Sequence, residues 1–160
     1  SVVARERGAL IDAHDIVVRF NAAPIDAPYT GVRTSVHVVS AGFAGSSPAG
    51  ATRVVVYNHP LLWLRGTRHA TVAPPFRGAT SVLTYLTHLC RAYPQHEIRL
   101  VGIDDIDWQR ASFEEAHYFS EDATPRWTRW ANRLAMRVHR REREELRALL
   151  DAHPTVRRIE

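Results

Sequence analysis

Residues 11–24 read IDAHDIVVRFNAAP, and no other stretch predicts the fold as strongly. An acidic turn leads into the apolar run 16–18 (IVV), which predicts a strand buried on both faces. The run is followed by Arg19 and Asn21, then by small residues and a proline. Open α/β sheets bind their ligands at the carboxyl ends of the strands. The polar residues that close this strand are therefore candidates for a ligand site.

Beyond this stretch, apolar β-branched runs alternate with helical patterns, which predicts a layered α/β domain. The predicted strands cover residues 15–20, 34–39, 53–58, 97–103 and 155–159. Apolar residues at helical spacing predict two helices, over residues 80–92 and 126–150. Three segments are predicted to be loops, the last of them an ordered loop or a lid: 41–50, 65–78 and 104–125.

The composition predicts a single globular domain with an affinity for anions. The chain has 160 residues, 45% of them hydrophobic and 24% charged, which is enough for one core. The net charge is +4, and all 21 residues counted as Lys or Arg are Arg. Because the guanidinium of Arg can form two hydrogen bonds to one phosphate or carboxylate group, the charge favours an anionic partner, either a nucleotide-sugar or a nucleic acid. There is no apolar run of membrane-spanning length and no signal-peptide pattern.

Two candidate binding positions lie at the ends of predicted elements. Asn21 can donate and accept hydrogen bonds at once, so it can hold a ribose hydroxyl or a phosphate oxygen, or else simply tie the turn that follows the strand. Thr80 and Ser81 begin the helix 80–92, where unpaired N–H groups suit a phosphate or a carboxylate. The same two residues can equally act as a helix cap and nothing more.

Two candidate histidines lie further along the chain. His117 begins the sequence HYFS in the acidic loop, where by itself it indicates only a surface position. His139 is followed five residues later by Glu144 on the last predicted helix. That spacing does not align two side chains on a helix, so the pair is not a metal site of the H-x-x-x-H kind. Taken alone, both residues are typical of a solvated helix face.

Together these segments resemble the motifs of the eukaryotic-type sialyltransferases, glycosyltransferase family 29. Residues 11–24 resemble the large sialylmotif, I-D-x-H-D-x-V-x-R-x-N-x-A-P, and residues 31–34 (GVRT) resemble the G-x-(R/K)-T that closes it. The helix 80–92, followed by Gly102 after the next strand, resembles the small sialylmotif.

The two histidines extend the resemblance in the order that the family has. His117 and the tyrosine after it resemble the third motif, and His139 with Glu144 resembles the very short sialylmotif, His-x4-Glu. Ordered co-occurrence of four motifs is far more specific than any one of them. The resemblance covers nearly all of the chain.

The resemblance implies a single catalytic domain over residues 1–160 that begins within the large sialylmotif. Its fold would be a Rossmann-like layered sheet flanked by helices, a variant of the GT-A type, without its first strand. The family has a Gly-Asn turn before the point where Ser1 stands, and its Asn also binds the donor. Cys90, the only cysteine, stands where the family has one half of a disulfide, whose other half lies upstream.

The activity implied by the resemblance is transfer of sialic acid from CMP-sialic acid to a glycan hydroxyl, with inversion and without a metal. His139 would be the general base, a role that suits an imidazole. Arg19 and Glu144 would have supporting roles. The implied donor site consists of Asn21, Thr80, Ser81, Gly102 and His117.

The resemblance implies no cofactor and no metal. Three acidic residues come nearest to an Asp-x-Asp pair for a nucleotide-bound cation, and on an Arg-rich chain they are more typical of loop caps: Asp104, Asp105 and Asp107. The expected partners are the CMP-sugar donor and a glycan acceptor of galactoside type. Two compartments stay open: the Golgi lumen, with an anchor preceding the chain, and the bacterial cytoplasm.

Three alternative functions also stay open: a transferase for another CMP-activated acid sugar such as CMP-Kdo, an inactive nucleotide- or glycan-binding remnant, and a basic nucleic-acid-binding module. The last lacks any recognisable nucleic-acid-binding signature.

Overall fold

Four parallel strands form the sheet of the amino-terminal half of the chain. They are β1 (Val18–Phe20), β2 (Val36–Ser40), β3 (Thr52–Val56) and β4 (Thr71–Val72), adjacent in that order. The register sets Val18 opposite Val36, and Val36 opposite Thr52. All carboxyl ends therefore meet at one edge of the sheet, where the sequence predicts a ligand site.

The structure is a computed structural model. It describes residues 6–40, 43, 45–56, 71–76, 79–101 and 129–159, with the backbone alone for residue 71 and residues 129–140. The chain divides into two units, Ser1–His96 and Glu97–Glu160. Mixed helices and parallel strands confirm the predicted α/β class. Within the described residues, no helix combines the length and the apolar character needed to cross a bilayer.

The helix α2 (Ser81–Ala92) covers one face of the sheet and confirms the predicted helix 80–92. Its apolar residues recur at helical spacing, and Leu83, Leu86 and Cys90 are buried. On the sheet side the core consists of alternate strand residues: Val18, Phe20, Val36, Val38, Val54, Val56 and Val72. The intervening Val39 and Val55 are buried as well, so that both faces are covered, as is usual for a parallel sheet.

The first strand begins later than its sequence predicts. Ile16 is 66% exposed and β1 starts at Val18, so the prediction of a strand over residues 16–18 buried on both faces is wrong at its beginning. The reason lies in Arg33, whose guanidinium donates to the carbonyl oxygen of His14 at 2.7 Å. That contact holds the chain before Ile16 out of the ladder.

A short helix, α1 (Gly8–Asp12), precedes this strand where the sequence predicts only an acidic turn. The Gly8 N–H donates to the carbonyl oxygen of Pro28 at 2.9 Å, and a Cβ at Gly8 would collide with the carbonyl oxygen of Ala27. Glycine therefore permits α1 to lie directly against the loop of residues 24–34.

The strand β4 lies inside the segment 65–78 that the sequence predicts to be a loop. It consists of two residues and, among the described parts of the chain, pairs with β3 alone, setting Val55 opposite Thr71. So short a strand leaves no pattern of alternation in the sequence, because alternation needs about four residues to be recognised.

The second unit contains a two-stranded parallel sheet and a long helix. β5 (Ile98–Val101) pairs in parallel with β6 (Val156–Ile159), and α3 (Arg129–Ala152) lies between them in the chain. A parallel pair needs a long crossover, and α3 belongs to it. Arg141 and Glu145 form an ion pair at 3.7 Å, one turn apart, as expected for a solvated helix face. The predicted loop 104–125 lies outside the described residues.

Candidate functional site

Asn21 follows β1 directly and links it to the end of β2. Its φ is 47°, in the left-handed region that Asn tolerates better than most residues. The Asn21 N–H donates to Val38 O at 2.9 Å, and the side-chain Oδ1 accepts the Ser40 N–H at 2.8 Å. The amide nitrogen Nδ2 has no hydrogen-bond partner among the described residues. Asn21 thus ties two strand ends together and keeps one donor group free.

His37, the second residue of β2, is only 3% exposed, and both of its ring nitrogens have hydrogen-bond partners. Nε2 lies 2.7 Å from the carbonyl oxygen of Asn21, and Nδ1 lies 2.9 Å from the hydroxyl oxygen of Ser47. The ring of Phe43 meets the imidazole edge-on, with centroids 5.6 Å apart. The histidine therefore joins the turn after β1 to the loop after β2.

A cavity of about 310 Å³ lies at this edge of the sheet. Its volume is at the lower end of the range for small-molecule sites, roughly 300–1,000 Å³. Its lining comes from the strand ends and from the two loops that follow them: Arg19, Asn21, Ala22, Ala23, Ile25, His37, Phe43, Ser46, Ser47 and Pro48. Polar groups from Asn21, Ser46 and Ser47 therefore converge on a partly apolar hollow.

Arg19 forms one wall of this cavity, and its guanidinium is surrounded by main-chain oxygens. The side chain is 7% exposed, and burial lowers the pKa of the guanidinium, an effect that the Asp12 carboxylate partly offsets. Its five hydrogen bonds, at 2.7–3.3 Å, reach the carbonyl oxygens of Pro24, Thr30, Gly31 and Arg33 and the hydroxyl oxygen of Thr34. Arg19 thus fixes the loop 24–34.

Asp12 fixes the end of the same loop from the opposite side. Its two carboxylate oxygens accept the N–H groups of Val32 and Arg33, at 2.8 and 2.9 Å. The Val32 hydrogen bond is the largest influence on the carboxyl group, and the pKa of Asp12 lies below its usual value of 3.8. Gly31, with φ +73°, has no room for a Cβ because the Asp12 carboxylate lies against it. Residues 11–24 and 31–34, which the sequence connects only by resemblance, therefore hold each other in place.

Thr80 caps α2, as predicted, because its Oγ1 accepts the N–H of Leu83 at 3.3 Å. Ser81, the first helical residue, is 5% exposed. Tyr85, one turn later, meets the ring of Phe20 edge-on, with centroids 6.3 Å apart. Because Phe20 is the last residue of β1, the beginning of α2 lies over the carboxyl ends of the strands.

The other predicted site residues belong to the second unit or lie outside the described residues. Gly102 and His117 lie outside them. His139 lies on α3, where only the backbone is described, and Glu144 is exposed on the same helix. The part of the chain that the structure describes contains no group of three or more His, Cys, Asp or Glu side chains able to hold a metal ion.

Eight of the ten described residues that line the cavity were not predicted from the sequence as site residues, and one of these eight, His37, contacts two of the others, Phe43 and Ser47. His37 leaves a usable signal, since it is the one polar residue inside the apolar run VHVV. Ser47 leaves none, because a serine in a Gly/Ser/Pro loop is ordinary.

Comparison with protein families agrees with this arrangement. Residues 3–91, more than half of the chain, match the model of glycosyltransferase family 29 (sialyltransferase). The chain belongs to this family. The family 29 match includes Arg19, Asn21, Thr80 and Ser81, and ends before His117 and His139. Neither the curated proteins nor the solved structures gave a significant match.

Proposed function

We propose that the protein transfers sialic acid from CMP-sialic acid to a glycan hydroxyl, with inversion and without a metal. Membership of family 29 supports a sialyltransferase-like glycosyltransferase that uses a nucleotide-sugar and a glycan. The observation that carries the proposal is the cavity beside Asn21, whose free amide nitrogen lies at the carboxyl edge of a parallel sheet. The proposed fold is the Rossmann-like variant of the GT-A type.

The charge of the cavity supports an anionic nucleotide. Arg19 lines it, and none of the guanidinium hydrogen bonds recorded among the described residues goes to a carboxylate. The Asp12 carboxylate offsets part of the positive charge without a recorded hydrogen bond to the guanidinium, and the charge that remains favours a phosphate nearby. The Asn21 amide nitrogen would donate to a ribose or phosphate oxygen. Thr80 and Ser81 would add the partial positive charge of the start of α2.

The chemical step is proposed for the second unit. His139 would take the proton from the acceptor hydroxyl as that oxygen attacks the donor carbon, a task suited to an imidazole near neutral pH. His117 would offset charge on the departing phosphate, Gly102 would line the donor site, and Glu144 would support the helix that carries His139. A galactoside-type acceptor is proposed, with either the Golgi lumen or the bacterial cytoplasm as the compartment.

The variant Asn21→Asp tests the donor site. It keeps the Oδ1 that accepts the Ser40 N–H and replaces the amide donor by a carboxylate oxygen, which repels phosphate. Loss of a hydrogen bond to a charged group should weaken CMP binding by roughly 10- to 100-fold, as measured by calorimetry.

The matched control is Gln95→Glu, the same amide-to-carboxylate exchange at an exposed position. It should bind CMP as the wild type does. Equal CMP affinity of the Asn21→Asp variant and the wild type would refute the proposed role of Asn21 in the donor site. A screen of activated sugars, with products identified by mass spectrometry, separates the alternative functions. Transfer from CMP-Kdo alone would indicate a transferase for that sugar. Binding of a donor without any transfer would indicate an inactive nucleotide- or glycan-binding domain.

A further inference from the structure

The imidazole of His37 has a defined proton position because of its two partners. A carbonyl oxygen can only accept, so Nε2 carries the proton that it donates to Asn21 O at 2.7 Å. In the neutral ring, Nδ1 is then an acceptor, and the hydroxyl of Ser47 donates to it at 2.9 Å. Both hydrogen bonds are shielded, since His37 is 3% exposed and Phe43 packs edge-on against the ring.

The group that His37 holds is the turn at Asn21. Asn21 has a φ of 47°, a left-handed conformation that costs Asn less than most L-residues and that its surroundings hold in place. Two hydrogen bonds, to Val38 O and from the Ser40 N–H, tie the backbone nitrogen and the side chain. His37 supplies the third by binding the carbonyl oxygen. The direction of the peptide after Asn21 therefore depends on the histidine.

We propose that His37 is a positioning residue of the nucleotide site, acting through Asn21, and that Ser47, by bonding to Nδ1, holds the imidazole in the orientation from which Nε2–H reaches Asn21 O. The inference rests on the proposed function, because the amide nitrogen of Asn21 is the group proposed to meet the donor. By holding the carbonyl of Asn21, the histidine fixes the turn that carries this amide group beside the cavity. Ser47 lines the same cavity and joins it to the loop after β2.

Two amide variants separate this role from a general contribution to packing. In His37→Gln the terminal amide nitrogen extends as far as Nε2 and can still donate to Asn21 O. In His37→Asn the shorter amide reaches the position of Nδ1, so it can bond to Ser47 but not to Asn21. The Gln variant should therefore bind CMP within about threefold of the wild type, and the Asn variant about tenfold more weakly, the effect of one hydrogen bond. His96→Gln, at an exposed position, should bind CMP as the wild type does.

Nuclear magnetic resonance supplies a readout that does not depend on CMP. The nitrogen shifts of His37 should report a proton on Nε2 in the wild type. The backbone coupling constant of Asn21 should keep its value in the Gln variant and change in the Asn variant. Circular dichroism checks that both variants are folded, and if the Asn variant is not, Ser47→Ala replaces it and should perturb the His37 nitrogen shifts.

Each result bears on the inference. Equal CMP affinity and an unchanged Asn21 coupling in the Asn and Gln variants would overturn it, as would a proton on Nδ1 in the wild type or unchanged His37 shifts in Ser47→Ala. A wild-type protein that fails to bind CMP would refute the proposed donor site instead. The coupling constant of Asn21 would then still decide whether His37 holds the turn.

Discussion

At the scale of single residues, Arg19 shows how a buried charge can organise a loop. Its guanidinium donates to four carbonyl oxygens and one hydroxyl of the segment 24–34, which forms neither helix nor strand in its central part. Carbonyl groups in such a segment need donors, since an unpaired buried carbonyl costs free energy. The guanidinium of Arg19 has five N–H groups in a fixed plane and donates to these carbonyl groups. It thereby supplies hydrogen bonds that a helix or a strand would otherwise supply.

Arg19→Lys should therefore destabilise the protein although it keeps the charge. An ammonium group has three donors and no planar fork, so at least two of the five acceptor oxygens would lose their hydrogen bond to residue 19. We expect the free energy of unfolding in urea to fall by about 3 kcal/mol. Arg99→Lys, at an exposed ion pair with Glu97, is the matched control and should change it by less than about 0.5 kcal/mol. A similar small loss in both variants would contradict this role of Arg19.

Asp12 should make stability depend on pH in the acid range. Its pKa in the folded protein is lowered, chiefly by the Val32 N–H, so folding favours the carboxylate. The stabilisation is complete above the ordinary pKa of 3.8 and is lost as the pH falls through the lower folded value. Thermal unfolding midpoints of the wild type and Asp12→Asn should therefore converge as the pH falls below 3.8. A constant difference between the two proteins down to strong acid would contradict this.

At the scale of elements, helices and strands were predicted correctly where their apolar pattern is continuous in the sequence. The predictions failed where a contact with a distant residue sets the boundary of an element. The apolar spacing of α2 and the valine runs of β2 and β3 are local, and the sequence predicts all three elements. The late start of β1 depends on Arg33, which lies 19 residues from His14. Hydrogen bonds over such a separation leave no periodic signal in the chain.

Thr80 offers a test of the α2 boundary. Its Oγ1 accepts the Leu83 N–H, so Thr80→Ala should lower the free energy of unfolding by about 1 kcal/mol, the usual effect of losing an N-cap. Thr80→Ser keeps the hydroxyl and should retain most of the stability. Equal losses for Ala and Ser, measured by urea unfolding, would show that the methyl group matters and the cap does not.

At the scale of the whole molecule, the proposed roles are divided between the two units. The nucleotide groups around Asn21 belong to the first unit and His139 to the second. The sequence selected Asn21 and Thr80 because each follows or precedes a recognisable element. It did not select His37 or Ser47, because their importance comes from a hydrogen bond between strand β2 and the loop that follows it, a contact that only folding creates. His117 and His139 stay predictions from the motif order.

This division predicts that His139→Ala will separate binding from transfer. The rate of sialic acid transfer to a galactoside should fall by roughly 10²- to 10⁴-fold, the usual contribution of a general base. CMP affinity, measured by calorimetry, should stay unchanged because His139 is proposed to meet the acceptor hydroxyl and not the nucleotide. His153→Ala, just after α3, is the matched control for transfer. Turnover of the His139→Ala variant at a near wild-type rate would disprove the assignment.

The contacts around Arg19 and Asp12 also bear on how fast a ligand can associate. Together they hold the loop 24–34 through seven hydrogen bonds, five from Arg19 and two to Asp12. A wall that already has its final shape does not have to be ordered when a ligand arrives, so little conformational entropy is lost on binding. Ile25 of this loop lines the cavity beside Arg19, so we expect the encounter with a ligand there to resemble a lock and key more than an induced fit.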